Sequence, residues 1–503
     1  MKQKKLKVLM VTSEAVPFAK SGGLADVVSS LSKELDTLRI DVRIVMPRYY
    51  FINAEHWKLQ RLESPLGIPL GFHEEWCGVL EGKLPESDVP VYFLEHNAYF
   101  GRDGIYTPKS GGGDYPDNID RFTLLSRGAF QVCKMLNWFP NVMHAHDWPS
   151  ALVPVYLYSW EWYGEFADTA GVFTIHNIGY QGVFPKDTIT TTQLTWEHFY
   201  GSGFEFYDQL NLMKAGIHNS DIITTVSPTY AQEIQSPEYG HQMDGLLRRR
   251  SQDLFGILNG IDYSVWDPSK DKSISVNFDS DSLEKKAKLK EDFQKELGLE
   301  VNAEKPLIGI VSRLADQKGF GELCGPGYGS LYSICNDMDI QFVILGLGES
   351  WVEKELQTLS DKLANLKVIL DFNEHLAHSI IGASDFFLIP SRYEPCGLTQ
   401  MYALRYGSLP IVRHTGGLAD TVENLDESTG EGDGFVFKDL TPQAIYNTIG
   451  WAVHTWYNSR DLIEKMRKRG MARRFSWKKS AKEYADVYQW AIDRRKGDYY
   501  RTW

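Results

Sequence analysis

The chain has 503 residues, which is long for a single hydrophobic core and indicates two domains. Its formal net charge of −13 argues against a nucleic acid or an anionic membrane as a general ligand. The five cysteines contain no Cys-x-x-Cys pair, which argues against a disulfide framework or a zinc knuckle and fits a reducing cytoplasm.

The N-terminal half alternates apolar strands with amphipathic helices. An amphipathic helix is predicted over residues 120–136. Such alternation predicts a mostly parallel sheet covered by helices on both faces. The predicted strands are residues 7–12, 42–46, 91–94, 142–146, 171–175 and 221–226.

The same rhythm starts again after residue 300. Helices are predicted over residues 351–364 and 477–495. The hinge between the two domains is predicted near residues 256–262. No run of apolar residues is long enough to span a bilayer. The predicted strands of this half are residues 306–311, 341–345, 367–370, 385–389 and 409–412.

One pentapeptide, Gly-Gly-Leu-Ala-Asp, occurs twice, at residues 22–26 and 416–420. Each copy follows an apolar strand and opens a helical pattern. A glycine pair frees the backbone for close ligand approach, and a helix start offers unpaired N–H groups. Lys20 adds an ammonium group that could hold a phosphate; a solvated lysine beside a structural turn is the alternative. The repeat predicts two nucleotide-fold halves presenting helix N-termini to one cleft.

Two loops of the second half carry further candidate chemistry. Arg313 and Lys318 follow a predicted strand, at the edge where open α/β sheets bind ligands. Two cations there could neutralise a diphosphate leaving group, although charged loops are often only solvated. Glu394 follows another strand, just before a Pro-Cys-Gly turn and a helix start. Its carboxylate could accept hydrogen bonds from sugar hydroxyls or serve only as a partner of the helix dipole.

Histidines end two strands of the first half. His144 and His146 lie on one side of a strand, which could mean a metal site. Asp147 and His176 follow at the strand ends, and hydrogen-bonding roles are favoured for both over metal binding. Aromatic residues make up 13% of the chain, for which core packing is favoured over sugar-stacking surfaces.

Together these motifs resemble the bacterial and plant glycogen and starch synthases, retaining glucosyltransferases that use ADP-glucose. The resemblance implies the α/β fold class GT-B, two Rossmann-like doubly wound parallel-sheet domains that face each other across a deep cleft. The last helix would return to the first domain, so the expected domains are residues 1–258 with 477–503, and residues 259–476. The resemblance rests on residues 20–27, 144–148, 174–177, 258–262, 312–319 and 394–402, in the family's order.

The resemblance also implies residue roles. Arg313 and Lys318 would bind the diphosphate and stabilise departing ADP, and Lys20 would assist from the opposite wall. Phe372 matches a position that stacks near adenine. The expected catalytic residues are Arg313, Lys318, Glu394, His176 and Asp147. The expected substrate-binding residues are Lys20, Gly22, Gly23, Asp26, Asn259, Phe372, Cys396, Gly397, Gly416 and Gly417.

The expected reaction is transfer of glucose from ADP-glucose to the non-reducing end of an α-1,4-glucan, glycogen or a malto-oligosaccharide. An α-1,4 bond would form with retention and ADP would leave, with no metal and no cofactor. The expected partners include no nucleic acid and no membrane, and the expected location is the cytoplasm. The alternatives are a UDP-glucose-dependent GT-B enzyme, a metal-dependent hydrolase using His144 and His146, and a catalytically silent glucan-binding module. No oligomeric state is predicted.

Two departures from the family pattern stand out. Many retaining glycosyltransferases carry Glu-x7-Glu, but Tyr402 occupies the second position here, which puts a second carboxylate role in doubt. Residues 319–330 contain five glycines and a proline, where relatives continue directly into a helix. Because glycine and proline are costly inside a helix, the sequence predicts that this helix is delayed.

Overall fold

The computed structural model describes residues 5–498 except 110 and 112, and its contacts divide the chain into two compact units. Unit 1 combines the chain up to Gly260 with the segment from Trp477 onward. Unit 2 is Ile261–Ser476.

The main sheet of unit 1 has ten strands among the described residues, in the order β13-β12-β8-β7-β1-β2-β6-β5-β3, with β4 paired to β5. The seven strands from β13 to β6 run parallel, whereas β5 is antiparallel to β3, β4 and β6. A small antiparallel sheet contains β9, β10 and β11. The strands are β1 (Lys7–Val11), β2 (Asp41–Pro47), β3 (Gln60–Arg61), β4 (Leu66–Leu70), β5 (His73–Lys83), β6 (Pro90–Glu95), β7 (Val142–His146), β8 (Ala170–Ile175), β9 (Val183–Pro185), β10 (Glu205–Phe206), β11 (Gln209–Asn211), β12 (Ile222–Thr225) and β13 (Leu254–Gly256).

Helices separate the parallel strands of unit 1. Eight of them lie before residue 260 in the described part of the chain. They are α1 (Gly23–Thr37), α2 (Asn97–Phe100), α3 (Asn118–Met135), α4 (Leu152–Leu157), α5 (Trp196–Gly201), α6 (Leu212–Asn219), α7 (Pro228–Glu233) and α8 (Asp244–Arg249).

Unit 2 contains one parallel sheet of six strands in the order β16-β15-β14-β17-β18-β19. Its strands are β14 (Leu307–Val311), β15 (Gln341–Leu345), β16 (Leu366–Ile369), β17 (Phe386–Ile389), β18 (Leu409–Arg413) and β19 (Phe435–Phe437). Its helices are α9 (Glu284–Glu296), α10 (Phe320–Cys324), α11 (Leu331–Asp337), α12 (Ser350–Ser360), α13 (Glu374–Ala383), α14 (Thr399–Arg405), α15 (Gly416–Thr421), α16 (Pro442–Asn458) and α17 (Arg460–Ala472).

The last helix, α18 (Trp477–Asp498), belongs to unit 1. Its Tyr488 hydroxyl lies 2.9 Å from Nδ1 of His144, and Ser480 donates a hydrogen bond of 2.6 Å to the carbonyl of Leu258. Buried aliphatic and aromatic residues such as Ala481, Tyr484 and Val487 repeat at helical spacing along it. This apolar face explains why the helix packs on unit 1 although it follows unit 2 in the chain.

The strand order places a switch point in each unit. In unit 1 the order reverses between β1 and β7, and in unit 2 between β14 and β17. Open α/β sheets bind ligands beyond the carboxyl ends of the strands at such points. The loops after these four strands are therefore the places to look for a functional site.

The predicted strands of both halves are confirmed to within about two residues at their ends. Fully buried parallel strands carry continuous apolar runs, so the sequence signal was strong there. The remaining strands, β3, β4, β5, β9, β10, β11, β13 and β19, were missed. Of these, β3, β4 and β5 form the antiparallel edge of the main sheet. Strand β5 mixes exposed charged residues such as Glu74 with buried ones such as Val79, so no continuous apolar run marks it.

The prediction of a delayed helix in residues 319–330 is wrong. Helix α10 begins immediately, at Phe320, but ends at Cys324, and α11 begins only at Leu331. Between them the chain forms a turn in which the N–H of Gly329 donates to the carbonyl of Gly325 at 2.8 Å. The glycines and the proline therefore interrupt the helix after five residues.

In the described part of the chain, residues 5–498, no helix has both the length and the apolar character that crossing a membrane requires.

A buried cluster of charged side chains connects two helices of unit 2 to its sheet. Asp385, immediately before β17, accepts hydrogen bonds of 2.6 Å from both Lys290 on α9 and Arg467 on α17. It also accepts 2.9 Å from the backbone N–H of Leu307 in β14. Burial alone would raise the pKa of this carboxyl, but Lys290 and Arg467 outweigh it and hold the pKa below the ordinary value.

Asp385→Asn keeps the side-chain shape but leaves two buried cations without their counter-charge. We expect a loss of about 3–5 kcal/mol in the free energy of unfolding of unit 2, because breaking a buried pair leaves an uncompensated charge. Denaturant titration of the full chain measures it. The matched control is Asp292→Asn, which removes the partner of the exposed Lys288 at 2.8 Å and should leave the transition unchanged. Equal transitions for both variants would contradict the role of Asp385.

Candidate functional site

Lys318 and Glu394 form an ion pair at the switch point of unit 2. Nζ of Lys318 donates to Oε2 of Glu394 at 2.6 Å, and the hydroxyl of Ser391 donates to the same oxygen at 2.8 Å. The Glu394 side chain is 9% exposed and that of Lys318 is 18% exposed. Sequence reasoning identified the two charged residues but missed Ser391. A hydroxyl three residues before a strand-end carboxylate was the available signal.

Three glycines lock the loops that carry this pair. Gly319 has φ +77°, and an added Cβ would lie 2.0 Å from the carbonyl oxygen of Pro390. Gly416 has φ +44°, and its added Cβ would lie 1.9 Å from the carbonyl oxygen of Glu394. At Gly417 the same atom would lie 1.9 Å from the carbonyl oxygen of Cys396. Only residues without a side chain permit this backbone packing between the loops after β14, β17 and β18.

Arg313 lies on the same loop as Lys318 and is exposed. Its Nη2 lies 3.4 Å from Oε1 of Gln317. The neighbouring Arg392 pairs with Asp316 at 3.1 Å and with Glu322 at 2.8 Å, so one guanidinium is shared by the two carboxylates of this loop and of α10. Arg313, Lys318 and Arg392 thus balance Asp316, Glu322 and Glu394, so these six side chains carry no net charge on a chain whose overall charge is negative.

The turn after Glu394 is held by Gln400, which sequence reasoning missed. Nε2 of Gln400 donates to the carbonyls of Cys396 and Gly397 at 3.0 Å each and to the hydroxyl of Thr421 at 3.1 Å. Gly397 has φ +69°, which favours glycine. Cys396 is buried. The amide thus fixes the backbone that follows the carboxylate.

Tyr402 occupies the position of the second carboxylate and is built into an aromatic stack. Its ring lies 3.7 Å from that of Trp266 at an interplanar angle of 9°. The opposite face of Trp266 stacks on His378 at 3.7 Å and 12°. Tyr402 is only 8% exposed. Its position in the described structure is that of a packing residue.

Phe372 lies apart from the ion pair. It follows β16, which is separated from β14 by β15, and precedes α13 with its N-cap Asn373. Its side chain is 80% exposed, so the ring is open to a stacking partner.

The loop after β1 in unit 1 presents Lys20 and the first glycine pair. Nζ of Lys20 lies 3.0 Å from Oδ1 of Asp26, in the first turn of α1. Gly22 and Gly23 are exposed. Gly22 has φ −158°, and an added Cβ would have no atom within 4 Å. Neither the backbone conformation nor the packing in unit 1 requires glycine here, which fits a surface that a ligand approaches closely.

Glu14 organises the same loop and was missed as a site residue. Its carboxylate accepts hydrogen bonds from the hydroxyls of Tyr106 at 2.6 Å and Ser21 at 2.7 Å, and from the backbone N–H of Ser21. Burial raises the pKa of this carboxyl, against those hydrogen bonds. An acidic residue directly after a buried strand at the switch point was the available signal.

The two histidines of β7 and His176, which follows β8, form a buried hydrogen-bonded group. Both ring nitrogens of His144 are used, by Tyr488 at 2.9 Å and by Thr174 at 2.6 Å. Nδ1 of His146 lies 3.1 Å from Nε2 of His176. The arrangement argues against His144 and His146 as paired metal ligands. Among the residues that the structure describes, no group of three or more His, Cys, Asp or Glu side chains could hold a metal ion.

Asp147 takes an unusual backbone conformation at the end of β7, with φ +55°. Its carboxylate accepts hydrogen bonds from the backbone N–H groups of His176 at 2.7 Å and Asn177 at 3.4 Å. Burial raises the pKa of Asp147 to about 8 and lowers the pKa of His176 to about 3. At pH 7 the histidine is neutral, so the positive charge at this switch point comes from Lys20.

Asn259 is buried and lies on unit 1, just before the division at Gly260. Its Oδ1 makes no hydrogen bond to any residue that the structure describes. Within unit 1 the structure therefore brings Asp147 and His176 into contact, and Lys20 with Asp26. Within unit 2 it brings together Lys318, Glu394, Cys396, Gly416 and Gly417.

Comparison with known proteins is consistent along the whole chain. A family model described as the starch synthase catalytic domain matches residues 7–249, and one described as glycosyl transferases group 1 matches residues 291–469. The glycogen synthase of Treponema denticola is 53% identical over 490 residues, which cover 97% of this chain and 99% of that protein. Glycogen synthase 1 of Geobacter metallireducens is 44% identical and covers 98% of both chains.

Solved structures agree with the fold. The catalytic domain of Starch Synthase IV from Arabidopsis thaliana, bound to ADP and acarbose, matches with a TM-score of 0.88 at 30% identity, covering 97% of this chain and 100% of that one. Sucrose-phosphate synthase from Thermosynechococcus elongatus matches with a TM-score of 0.58 at 16% identity, a likeness in fold alone, and covers 96% of this chain and 98% of that one. The predicted GT-B class, with two doubly wound parallel sheets, is confirmed.

The two glycine pairs should respond differently to a methyl group. Gly22→Ala should change the free energy of unfolding by less than about 1 kcal/mol, the range of helix N-cap substitutions, because its surroundings are open. Gly416→Ala should cost at least about 1–3 kcal/mol from its backbone conformation, and more from the overlap with the carbonyl of Glu394. Thermal unfolding of the two variants compares them. Equal losses would contradict the different environments of the two copies.

Proposed function

Because the chain belongs to the glycogen and starch synthase family of glycosyltransferases, we propose that it transfers glucose from ADP-glucose to the non-reducing end of an α-1,4-glucan. The product is one glucose longer, joined by an α-1,4 bond with retained configuration, and ADP is released. The observation that carries this proposal is the loop after β14 in unit 2, in which Lys318 contacts Glu394 at 2.6 Å with Arg313 on the same loop. The starch synthase relative carries ADP in its solved structure.

The main requirement for catalysis is to stabilise the negative charge that develops on the leaving group. Negative charge grows on the phosphate as its bond to the anomeric carbon breaks, and preorganised cations stabilise that charge best where water is scarce. We assign this task to Arg313 and Lys318. The adjacent Asp316 and Glu322 both pair with Arg392.

Glu394 is assigned to the sugar. One of its oxygens is engaged by Lys318 and Ser391, which fixes the orientation of the carboxylate. The other oxygen is then oriented to accept a hydrogen bond from a glucose hydroxyl. Cys396 and Gly397 offer the backbone of the following turn, which Gln400 holds in place.

The acceptor hydroxyl forms its bond to the anomeric carbon on the face from which the phosphate departs. In the proposed step its proton passes to the departing phosphate oxygen, so the protein needs no separate base for it. Arg313 and Lys318 are assigned the positive charge that a metal ion or another cofactor would otherwise supply.

The roles proposed for residues of unit 1 follow from the charge and hydrogen-bonding capacity of each side chain. Lys20, with Asp26 and the open glycine pair Gly22 and Gly23, is assigned to phosphate binding. Asp147, His176 and Asn259 are assigned to sugar hydroxyls. His176 is a neutral histidine at pH 7, burial raises the pKa of the Asp147 carboxyl to about 8, and the amide oxygen of Asn259 has no partner among the described residues.

Three roles rest mainly on the family likeness. Phe372, whose ring is 80% exposed, is assigned to stacking on the adenine. Gly416 and Gly417 act by shaping the Glu394 loop, and a direct phosphate contact through their backbone is a secondary role. The proposed location is the cytoplasm, in keeping with five buried free cysteines in the described residues.

Removing either cation should slow catalysis without unfolding the chain. Lys318→Ala and Arg313→Ala should each lower kcat by about a hundredfold to a thousandfold, the loss seen when one charge-stabilising donor is removed. ADP release in the presence of ADP-glucose and glycogen measures turnover. Lys354→Ala, an exposed lysine on α12, is the control and should match the wild type. Near-normal turnover in both variants with an intact fold would refute the assignment.

The choice of donor is tested separately. Initial rates with ADP-glucose and with UDP-glucose on the same glycogen acceptor should favour ADP-glucose by at least about tenfold. Preference for UDP-glucose would replace the proposed donor while keeping the transfer reaction. Loss of turnover on chelation, with bound metal at one ion per chain, would instead support the hydrolase alternative. Glycogen binding without any ADP release would support the silent module.

A further inference from the structure

A pocket of about 290 Å³ lies in unit 2 between the glycine turn of residues 325–329 and the start of α16. Its volume is at the lower end of the range for small-ligand pockets, about 300–1,000 Å³. None of its lining residues belongs to the candidate site described above. They are Tyr328, Gly329, Ser330, Ser333, Asp337, Pro442, Gln443 and Tyr446.

The glycine turn presents an aromatic ring at this pocket. Tyr328 is 61% exposed, and its ring lies against Gly325, where an added Cβ would be 2.4 Å from the ring carbon Cζ. Gly329 is equally constrained, because its Cβ would lie 2.6 Å from the backbone of Cys324. The interruption of the helix therefore fixes an exposed ring in one place, and the glycines on either side are needed for that placement.

Polar groups of the lining point to a hydrogen-bonding ligand. The hydroxyl of Ser330 is buried, the residue being 6% exposed, and it makes no hydrogen bond to any residue in the described part of the chain. A buried hydroxyl without a partner is costly, so a small movement of the lining that lets a group in the pocket bond to it is favoured. The hydroxyl of Tyr446 lies 3.2 Å from Oδ2 of Asp337, which holds these two side chains against each other.

The charge of the lining excludes phosphates. Asp337 is its one ionisable carboxylate, and the eight residues include no lysine or arginine to bind an anion. An exposed aromatic face combined with hydroxyl, amide and carboxylate groups instead suits a neutral ligand that has apolar faces and many hydroxyls. A pyranose sugar has both, since its C–H face packs on an aromatic ring while its hydroxyls bond at the rim.

We propose that this pocket is a second glucan-binding site, which holds a stretch of the acceptor polymer away from the residues that carry out transfer. The inference rests on the proposed function, because a polymeric α-1,4-glucan can occupy this pocket and the reaction site in the same encounter. A second contact on one polymer raises the effective concentration of chain ends at the first. A short oligosaccharide gains nothing from it.

The test compares two exposed tyrosines one turn apart. Tyr328→Ala should weaken binding of glycogen about three- to tenfold in co-sedimentation and raise KM for glycogen by a similar factor. It should leave kcat and the KM for maltotriose unchanged. The control is Tyr332→Ala, which removes a ring that is 49% exposed but does not line the pocket, and which should behave as the wild type in all measurements.

The outcomes distinguish failure of the second glucan-binding site from failure of the proposed transfer reaction. Unchanged glycogen binding and KM in Tyr328→Ala, or an equal change in Tyr332→Ala, would overturn the second site while leaving the transfer reaction standing. An equal rise in KM for maltotriose would also overturn it, because the pocket would then belong to the reaction site. If the wild type releases no ADP, the proposed function fails, and the co-sedimentation comparison still decides whether the pocket binds glucan.

Discussion

The close packing of backbone against backbone in three neighbouring loops of unit 2 is the constraint on which the candidate site depends. Gly319 meets Pro390, Gly416 meets Glu394 and Gly417 meets Cys396, each at a distance that leaves no room for a side chain. Because β14, β17 and β18 are adjacent in the sheet, the three loops form one rigid edge. That edge sets Lys318 and Glu394 at 2.6 Å, and Arg313 lies on the same loop as Lys318.

The repeated pentapeptide shows that one short sequence can meet two different requirements. In unit 2 both glycines are buried, and they permit loop packing beside Glu394. In unit 1 the pair is exposed, Gly22 has no neighbour that forbids a side chain, and Lys20 lies beside it. The shared strand–loop–helix context was correctly predicted from the sequence. Which copy is needed for packing depends on what lies opposite each loop, and only the structure shows that.

The sequence predicted the elements that bury continuous apolar runs and the loops that follow them. It could not predict partners chosen by tertiary contact, such as Ser391 and Gln400 around Glu394, or Ser21 and Tyr106 around Glu14. One prediction from residue propensity was also wrong. The glycines after Lys318 do not delay the helix, which begins at Phe320 with Gly319 as its N-cap. They end it at Cys324. Nor could the sequence show that Tyr402, at the position of the second carboxylate, stacks on Trp266.

The central claim is that Arg313 and Lys318 bind the diphosphate of the donor. A crystal structure of the chain grown with ADP tests it most directly. The account predicts phosphate oxygens at about 2.7–3.2 Å from Nζ of Lys318 and from the guanidinium of Arg313. It is contradicted if the diphosphate is bound elsewhere while Lys318 contacts only Glu394 and Arg313 extends into solvent.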